Sequence, residues 1–504
     1  MLMIASVKTV CFLGIECKEV DVQVHIAPGL PCFNIVGLAD KSVAESKERV
    51  RAAFHSMAIA FPAKRITVNL SPADLLKEGN HFDLAIAVGL LVSLEIVSQE
   101  EVEKYIIMGE LSLDGKIKNV NGVLPAAIFA NSQELGVICP ELNGKEAAWS
   151  GNNSIVAASS LIALIHHLNG KHFITYPQVD KIEDVCEYPN LKDIRGQRIA
   201  KRALEIAAAG GHNMLMIGPP GSGKSMLAKR LPGIVPPLTS EEVLEVSVVA
   251  SISGIIADSE GIITKRPYRD PHSSSSMAAI VGGGRNAKPG EVTLAHNGVL
   301  FLDELPEFPR NVLESLRQPI ETGSITIARV NSHITYPSRF QLIAAMNPCR
   351  CGYFGDINSS CSKAPRCAED YQSKISGPLI DRFDLKVDVP AVNILEIEEE
   401  ESESSEKVAA RVTSAREIQK NRYRGVKIQL NAHADGEVLT KATNLNKEII
   451  DFLKKAVEKF NLSMRGYNRV LRVARTIADL DNQENISKNH IAEALSFRIS
   501  KFQK

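Results

Sequence analysis

No stretch of this sequence is long and apolar enough to suggest a membrane helix. The longest such run, residues 84–94 between Asp83 and Glu95, falls well short of the roughly 20 residues that a bilayer span needs. The amino terminus lacks the basic start and small-residue cleavage site of an export signal, so a cytoplasmic location with no membrane partner is expected. Net charge is nearly absent as well. Lys and Arg total 58 against 59 for Asp and Glu, which excludes a global field and leaves a local basic surface as the only means of gripping nucleic acid. A disulfide framework is not expected either, because cytosolic thiols stay reduced. Of the nine cysteines, Cys11, Cys17, Cys32, Cys139 and Cys186 are scattered and read as small buried hydrophobes. There is no internal repeat, and proline is missing from residues 407–504.

What is present is an ordinary globular composition, 44% hydrophobic and 23% charged over 504 residues, more than one core usually serves. Residues 7–168 alternate strand-like runs with amphipathic helices, the pattern of a mixed α/β domain. Ile66, Val68 and Leu70 alternate with Thr67 and Asn69 as a half-buried strand would. Val43, Val50, Ala53, Phe54 and Met57 recur at helical spacing, with Lys41, Glu45, Glu48 and Arg49 elsewhere on the wheel. A polar stretch, residues 171–193 with Pro177 and Pro189, reads as a link, with a boundary near Lys181. The expected division is therefore 1–180, an α/β core over 181–395, and 396–504, where a Glu- and Ser-rich linker at 396–406 precedes a helical domain.

The chemistry lies in the middle segment. After the apolar run 213–217 come Gly218, Pro219, Pro220, Gly221, Ser222, Gly223, Lys224 and Ser225, a match to G-x-x-x-x-G-K-[ST] with a strand before it and a helix after. Backbone N–H groups of such a loop cradle phosphates, the lysine reaches the outer phosphates and the hydroxyl binds Mg²⁺, so ATP and Mg²⁺ are the expected cofactors. Hydrolysis needs carboxylates at the end of a second strand. Val299 to Leu302 supply the apolar run, followed by Asp303 for the Mg²⁺ shell and Glu304 for the attacking water. A third run, 341–346, ends in Asn347, a neutral polar group suited to hold water or the γ-phosphate. Arg382 lies between Asp381 and Asp384, and an arginine finger from a neighbouring subunit supplies the charge such a site still lacks.

Two further patterns stand out. Arg465, Arg469, Arg472 and Arg475 follow at spacings of four, three and three, so they share one face of a helix, either as a salt-bridged stripe or as sensors of nucleotide, subunit or phosphate chain. Cys349, Cys351, Cys361 and Cys367 could close a tetrahedral Zn²⁺ site across residues 349–367, although the spacing departs from paired C-x₂-C knuckles. Unligated loop thiols are the alternative.

Together these motifs resemble the ComM/YifB family of Mg-chelatase-like AAA+ ATPases, over essentially the whole chain. Matching stretches outside the ATP site are residues 29–38 (GLPCFNIVGL), 65–74 (RITVNLSPAD), 109–115 (GELSLDG), 289–305 (PGEVTLAHNGVLFLDEL) and 462–480. The resemblance implies an amino-terminal domain similar to the Lon protease, with an S5-like α+β fold, a P-loop AAA+ core and a C-terminal helical lid. It implies Asn347 as sensor 1, Arg382 as the arginine finger and Arg465 as the sensor-2 arginine. A finger acting in trans implies a homo-oligomeric ring, expected as a hexamer, and the family implies a motor on single-stranded or branched DNA, with helicase or branch-migration activity in recombination or natural transformation. Residues 268–284 resemble the family's pore-facing insert, with Ser273 where a second histidine follows His272. The Lon nucleophile's place falls near His81 and that of its lysine near Leu124. Neither side chain does that work, so the domain is expected to be non-proteolytic. Two other readings stand beside the DNA motor: a Mg-chelatase-type subunit for metal insertion, and a nucleotide-gated DNA-binding scaffold.

Overall fold

The computed structural model describes residues 4–179, 188–256, 261–284, 287–328, 333–352, 354, 361, 365–391 and 402–498. Cys186, Lys181 and residues 396–401 of the acidic run lie outside the described residues. The chain forms two compact units: Met1–Glu183 with Thr239–Thr264 and Ala328–Thr335, and Asp184–Leu238 with Lys265–Ile327 and Tyr336–Lys504.

The first unit is built on a seven-stranded mixed sheet. Its strands are β1 (Ala5–Leu13), β2 (Glu16–Ala27), β3 (Cys32–Val36), β4 (Arg65–Ser71), β5 (Tyr105–Ile107), β6 (Gly136–Pro140) and β7 (Ile155–Ala158), in the order β3-β4-β2-β1-β5-β6-β7. The predicted alternation in β4 is observed, with Ile66, Val68 and Leu70 buried. Helix α1 (Lys41–Ser56) is capped by the Asp40 side chain accepting from Val43 N, and buries Val43, Val50, Ala53 and Phe54. The apolar run becomes α2 (Phe82–Ser93), buried on every side from Phe82 to Leu91, which is why it carries no polar face. Gly89 lets this helix approach β2 closely: a Cβ there would stand 2.7 Å from Val24 Cγ2. Two more helices, α3 (Val123–Ser132) and α4 (Gly144–Ala148), flank β6 and β7.

The two units differ from the linear division: Thr239–Thr264 and Ala328–Thr335, within the segment read as core, both cluster with the first unit, and the carboxy-terminal helices belong to the second. Gly122 N donates to Ser251 O at 3.1 Å, and the Ser251 hydroxyl donates to the buried Glu146 carboxylate of α4. That carboxylate also accepts from Leu124 N at 3.1 Å and Asn143 Nδ2 at 2.8 Å. A buried carboxylate needs such donors, and these serine contacts draw Thr239–Thr264 onto the first unit.

The second unit contains helix α5 (Arg198–Gly210) and a five-stranded sheet of β8 (Met214–Ile217), β9 (Tyr268–Arg269), β10 (Gly298–Leu302), β11 (Phe340–Met346) and β12 (Leu385–Asp388). The order is β9-β10-β11-β8-β12, and every pairing is parallel. β8, β10 and the inner part of β11 are buried throughout, as expected for a parallel sheet covered on both faces. Tyr268, from the stretch read as a pore-facing insert, stacks on Phe301 at 6.2 Å between ring centroids, and Tyr268 and Arg269 form an edge strand. Helices α6 (Lys224–Arg230), α7 (Ser240–Ser253), α8 (Arg366–Gln372) and α9 (Gly377–Ile380) follow α5 in the chain, and residues 405–496 include α10 (Ser405–Arg422), α11 (Gly436–Thr443), α12 (Lys447–Phe460), α13 (Met464–Leu480) and α14 (Lys488–Ser496). Val470, Val473, Ala474 and Ile477 of α13 join one apolar core with Ala203, Leu204, Ile206 and Ala207 of α5.

Candidate nucleotide site and cysteine cluster

Parallel strands place ligands beyond their carboxyl ends, at points where the strand order switches. β8 is such a point, flanked by β11 and β12. The loop after it turns tightly because its glycines permit it. A Cβ on Gly218 would stand 2.0 Å from Val389 O, and Gly221 and Gly223 adopt φ of +74° and +90°. α6 then begins at Lys224, pointing its free N–H groups back toward the loop.

The Lys224 ammonium is folded over this loop. It donates to Gly218 O and Pro219 O at 2.8 Å each, and to Ser222 Oγ and Asn347 Oδ1 at 3.3 Å. Burial lowers its proton affinity, opposed by the charges of Asp303 and Glu304. Ser225 Oγ donates to Asp303 Oδ2 at 2.6 Å. These two oxygens, a hydroxyl and a carboxylate, suit Mg²⁺, which takes oxygen ligands. Glu304 is exposed and holds the left-handed backbone conformation, φ +51°, an unfavourable geometry for a non-glycine residue that commonly marks working sites. The loop, the acidic pair and Asn347 thus meet at one place.

Among the described residues, no bond joins Arg382 or Arg465 to that cluster. Arg382 is 9% exposed. Its Nη1 donates to Pro378 O at 2.5 Å, its Nη2 pairs with Glu321, and its buried Nε has no partner among the described residues. Arg465 is exposed in the first turn of α13. The other three arginines of that helix are committed internally, so the stripe is not a shared cationic face. Arg469 Nε lies 3.3 Å from Asp384 Oδ1, Arg472 Nη2 3.3 Å from Asp435 Oδ1, and Arg475 Nη2 3.0 Å from Asp479 Oδ1.

Sequence reasoning missed several supports. Gln197 Nε2 donates to Ser222 O at 3.2 Å and Pro390 O at 2.6 Å, pinning the phosphate loop from outside. Asp384 lies 3.1 Å from His212 Nδ1, while His212 Nε2 lies 2.8 Å from Thr476 Oγ1. Burial pushes the Asp384 carboxyl up, but His212 and Arg469 outweigh it and hold it below its ordinary value. This network joins the segment carrying Arg382 to α13. The only sequence signal for it was the pair of acids beside Arg382.

Four sulfurs come together next to Asn347. The Sγ atoms of Cys349, Cys351, Cys361 and Cys367 all lie within 4.8 Å of one another, with Cys349 and Cys351 3.1 Å apart. A tetrahedral Zn²⁺ with bonds of about 2.3 Å sets its sulfurs roughly 3.8 Å apart, so the cluster has the donor set and spacing to hold a metal. In the first unit, His81 is buried with its Nε2 on Val10 O at 2.8 Å, Leu124 is buried, and the buried Lys77 donates to Pro72 O.

Fold and loop together define a P-loop α/β protein with AAA+-like domains. Three family models match: magnesium chelatase subunit ChlI over residues 190–397, subunit ChlI of Mg-chelatase over 22–143, and the ChlI C-terminal model over 402–498. Competence protein ComM of Haemophilus influenzae is 41% identical over 495 residues, covering 96% of both chains. The uncharacterized protein YifB of Salmonella typhimurium is 42% identical over 498 residues, covering 98% of this chain and 97% of its own. The magnesium-chelatase 38 kDa subunit of Rhodobacter capsulatus is 22% identical over 325 residues, 61% of this chain and 85% of that protein. The chain belongs to the ComM/YifB family of Mg-chelatase-like AAA+ ATPases. No helix among the described residues is long and apolar enough to cross a membrane.

Proposed function

We propose that this protein hydrolyses ATP with Mg²⁺ in a homo-oligomeric ring, six-membered by family resemblance, and couples the cycle to movement on single-stranded or branched DNA. The observation that carries the ATPase reading is the meeting of Lys224, Ser225, Asp303 and Asn347 around one loop. In this reading Lys224 and the loop's N–H groups hold the phosphates, Ser225 and Asp303 hold Mg²⁺, and Glu304 polarises water held by Asn347. A neighbour's Arg382 stabilises the transferring phosphate, and Arg465 senses nucleotide from the helical lid. The cysteine cluster takes Zn²⁺ as thiolates, which fits a reducing, cytoplasmic compartment. The first unit, similar to Lon but without a Ser–Lys pair at His81 and Leu124, serves assembly or DNA contact.

The DNA reading rests on the near full-length likeness to a protein named for competence. A Mg-chelatase-type role in metal insertion is the second reading, favoured by the family descriptions but opposed by the shorter, weaker likeness to the 38 kDa chelatase subunit. ATP turnover with forked, single-stranded and duplex DNA tests the proposal. Stimulation by one of these, with branch migration lost in Glu304→Gln while ATP binding persists, supports a motor. Unchanged turnover with all three removes the DNA reading, and a parent protein that moves no strand, with DNA recruitment the same in Glu304→Gln, points to a scaffold.

A further inference from the structure

We propose that the metal-loaded cysteine cluster forms a wall of the nucleotide site, so that metal occupancy sets nucleotide affinity through contact of Gly352 with Pro220. This deepens the ATPase and Zn²⁺ readings above and rests on both.

The four thiols come from separate points of the chain. Cys349 and Cys351 come just after Asn347 and Pro348, Cys361 comes later in the chain, and Cys367 lies in the first turn of α8. One ion bound to all four links the turn after Asn347 to Cys361 and to the first turn of α8, and such cross-links lower the conformational entropy of a chain. Thiolate ligands select Zn²⁺ over Mg²⁺, so the cluster does not compete for the ion that accompanies ATP.

The cluster then acts on the phosphate loop through packing. Gly352 is buried with φ +87°, and a Cβ there would stand 2.6 Å from Pro220 Cδ and 2.9 Å from Pro220 Cγ. No side chain fits between the cysteine turn and the loop. Gly352 N donates to Cys349 O at 3.0 Å, which ties the contact point to the cluster itself. Pro220 follows Pro219, whose carbonyl receives the Lys224 ammonium at 2.8 Å. From the other side, Gln372 Nε2 at the end of α8 donates to Pro348 O at 2.9 Å, next to Asn347. The cysteine turn thus packs on Pro220 on one side and adjoins Asn347 on the other, and Lys224 bonds both to Asn347 and to the carbonyl of Pro219, just before Pro220. Interiors packed at this density transmit such displacements.

The test uses the full-length protein. Metal content is measured on the native preparation, and cobalt replacement is followed by its thiolate charge-transfer absorption. Affinity for a fluorescent ADP analogue is then measured on native protein, on protein stripped with chelator and reductant and then freed of both, and on stripped protein given Zn²⁺ again, with Mg²⁺ present in every arm. One Zn²⁺ per chain is expected, with nucleotide affinity falling at least about tenfold on stripping and returning with Zn²⁺. The Cys361→Ser, Cys367→Ser double variant reaches the stripped state without chelator and should bind nucleotide as weakly. Gly352→Ala separates the two halves of the proposal: it should keep its Zn²⁺, keep its circular dichroism spectrum and still bind nucleotide more weakly. Equal affinity in stripped and loaded protein overturns the coupling and leaves the metal in place. A native protein without zinc and without a cobalt signal overturns the metal reading and the coupling with it. Zinc-loaded protein that binds no nucleotide overturns the ATPase reading instead.

Discussion

The Ser225 hydroxyl and the Asp303 carboxylate stand 2.6 Å apart although 78 residues separate them. Ser225 follows β8 and Asp303 follows β10, with β11 between the two strands. A parallel sheet brings all three carboxyl ends to one edge, so the hydroxyl, the acidic pair and Asn347 converge without any long side chain having to reach. Lys224 closes the group by touching both its own loop and Asn347.

This convergence separates binding from hydrolysis. Lys224→Ala removes the ammonium bonded to the loop carbonyls, and nucleotide affinity measured by calorimetry is expected to fall at least about a hundredfold. Glu304→Gln preserves shape and binding while removing the carboxylate, and ATP turnover should drop by roughly 10²–10⁴-fold. Turnover by Glu304→Gln within twofold of the parent would exclude Glu304 as the residue that activates water.

A buried lysine gives the second unit a pH signature. Lys386 is 8% exposed on β12, and its pKa is lowered to about 8, first by burial and then by Arg498 and Arg469, against the pull of Asp381. Between about 8 and its ordinary value of 10.5, the folded chain has released a proton that the unfolded chain still holds. Stability contributed by this group therefore rises with pH across that window. Urea unfolding at pH 7.5 and 10 (about these values) should show a larger gain for the parent than for Lys386→Met. Equal gains in the two proteins would place the source elsewhere.

Local patterns were legible where local physics decides them. The strand Arg65–Ser71 and the helix Lys41–Ser56 follow from periods of two and about 3.6. The phosphate loop follows from glycines that backbone sterics demand, as at Gly218 beside Val389 O. Spacing also placed Arg465, Arg469, Arg472 and Arg475 on one helix, but it could not name their partners. Asp384, Asp435 and Asp479 claim three of them, and a pair such as His212 and Asp384 lies 172 residues apart with no period to announce it. The assignment of Thr239–Thr264 was hidden for the same reason. Apolar residues show that a segment packs, not on what, and the acceptor for Ser251 is a carboxylate 105 residues earlier.

In the first unit, the Asp83 carboxylate is fully buried and accepts from Arg49 Nε at 2.6 Å, Arg49 Nη2 at 2.9 Å and Leu111 N at 3.2 Å. This bidentate pair ties α1 to α2. Asp83→Ala takes the acceptor from a backbone N–H and leaves the guanidinium only Ser42 O and Ser46 Oγ, and a loss of about 3–5 kcal/mol is expected, read by calorimetric unfolding. A loss below about 1 kcal/mol would mean that water or another acceptor takes over the pair's role.

Arg382 poses the sharpest question about assembly. Its guanidinium pairs with Glu321 and Pro378 O inside its own subunit, while its buried Nε has no partner among the described residues. For this arginine to stabilise a phosphate bound to a neighbour, the Glu321 pair must open and the guanidinium must come out of its buried position. Arg382→Ala is expected to bind nucleotide as the parent does and to lose roughly 10³-fold in turnover. The two disabled proteins can then be mixed. Lys224→Ala subunits have an arginine but no working loop, and Arg382→Ala subunits have the reverse. In an equimolar ring about a quarter of the interfaces would pair an intact loop with an intact arginine, so ATP turnover should recover to about that fraction of the parent. A mixture as inactive as its components, in rings shown by light scattering to have exchanged subunits, would mean that Arg382 does not act across the interface.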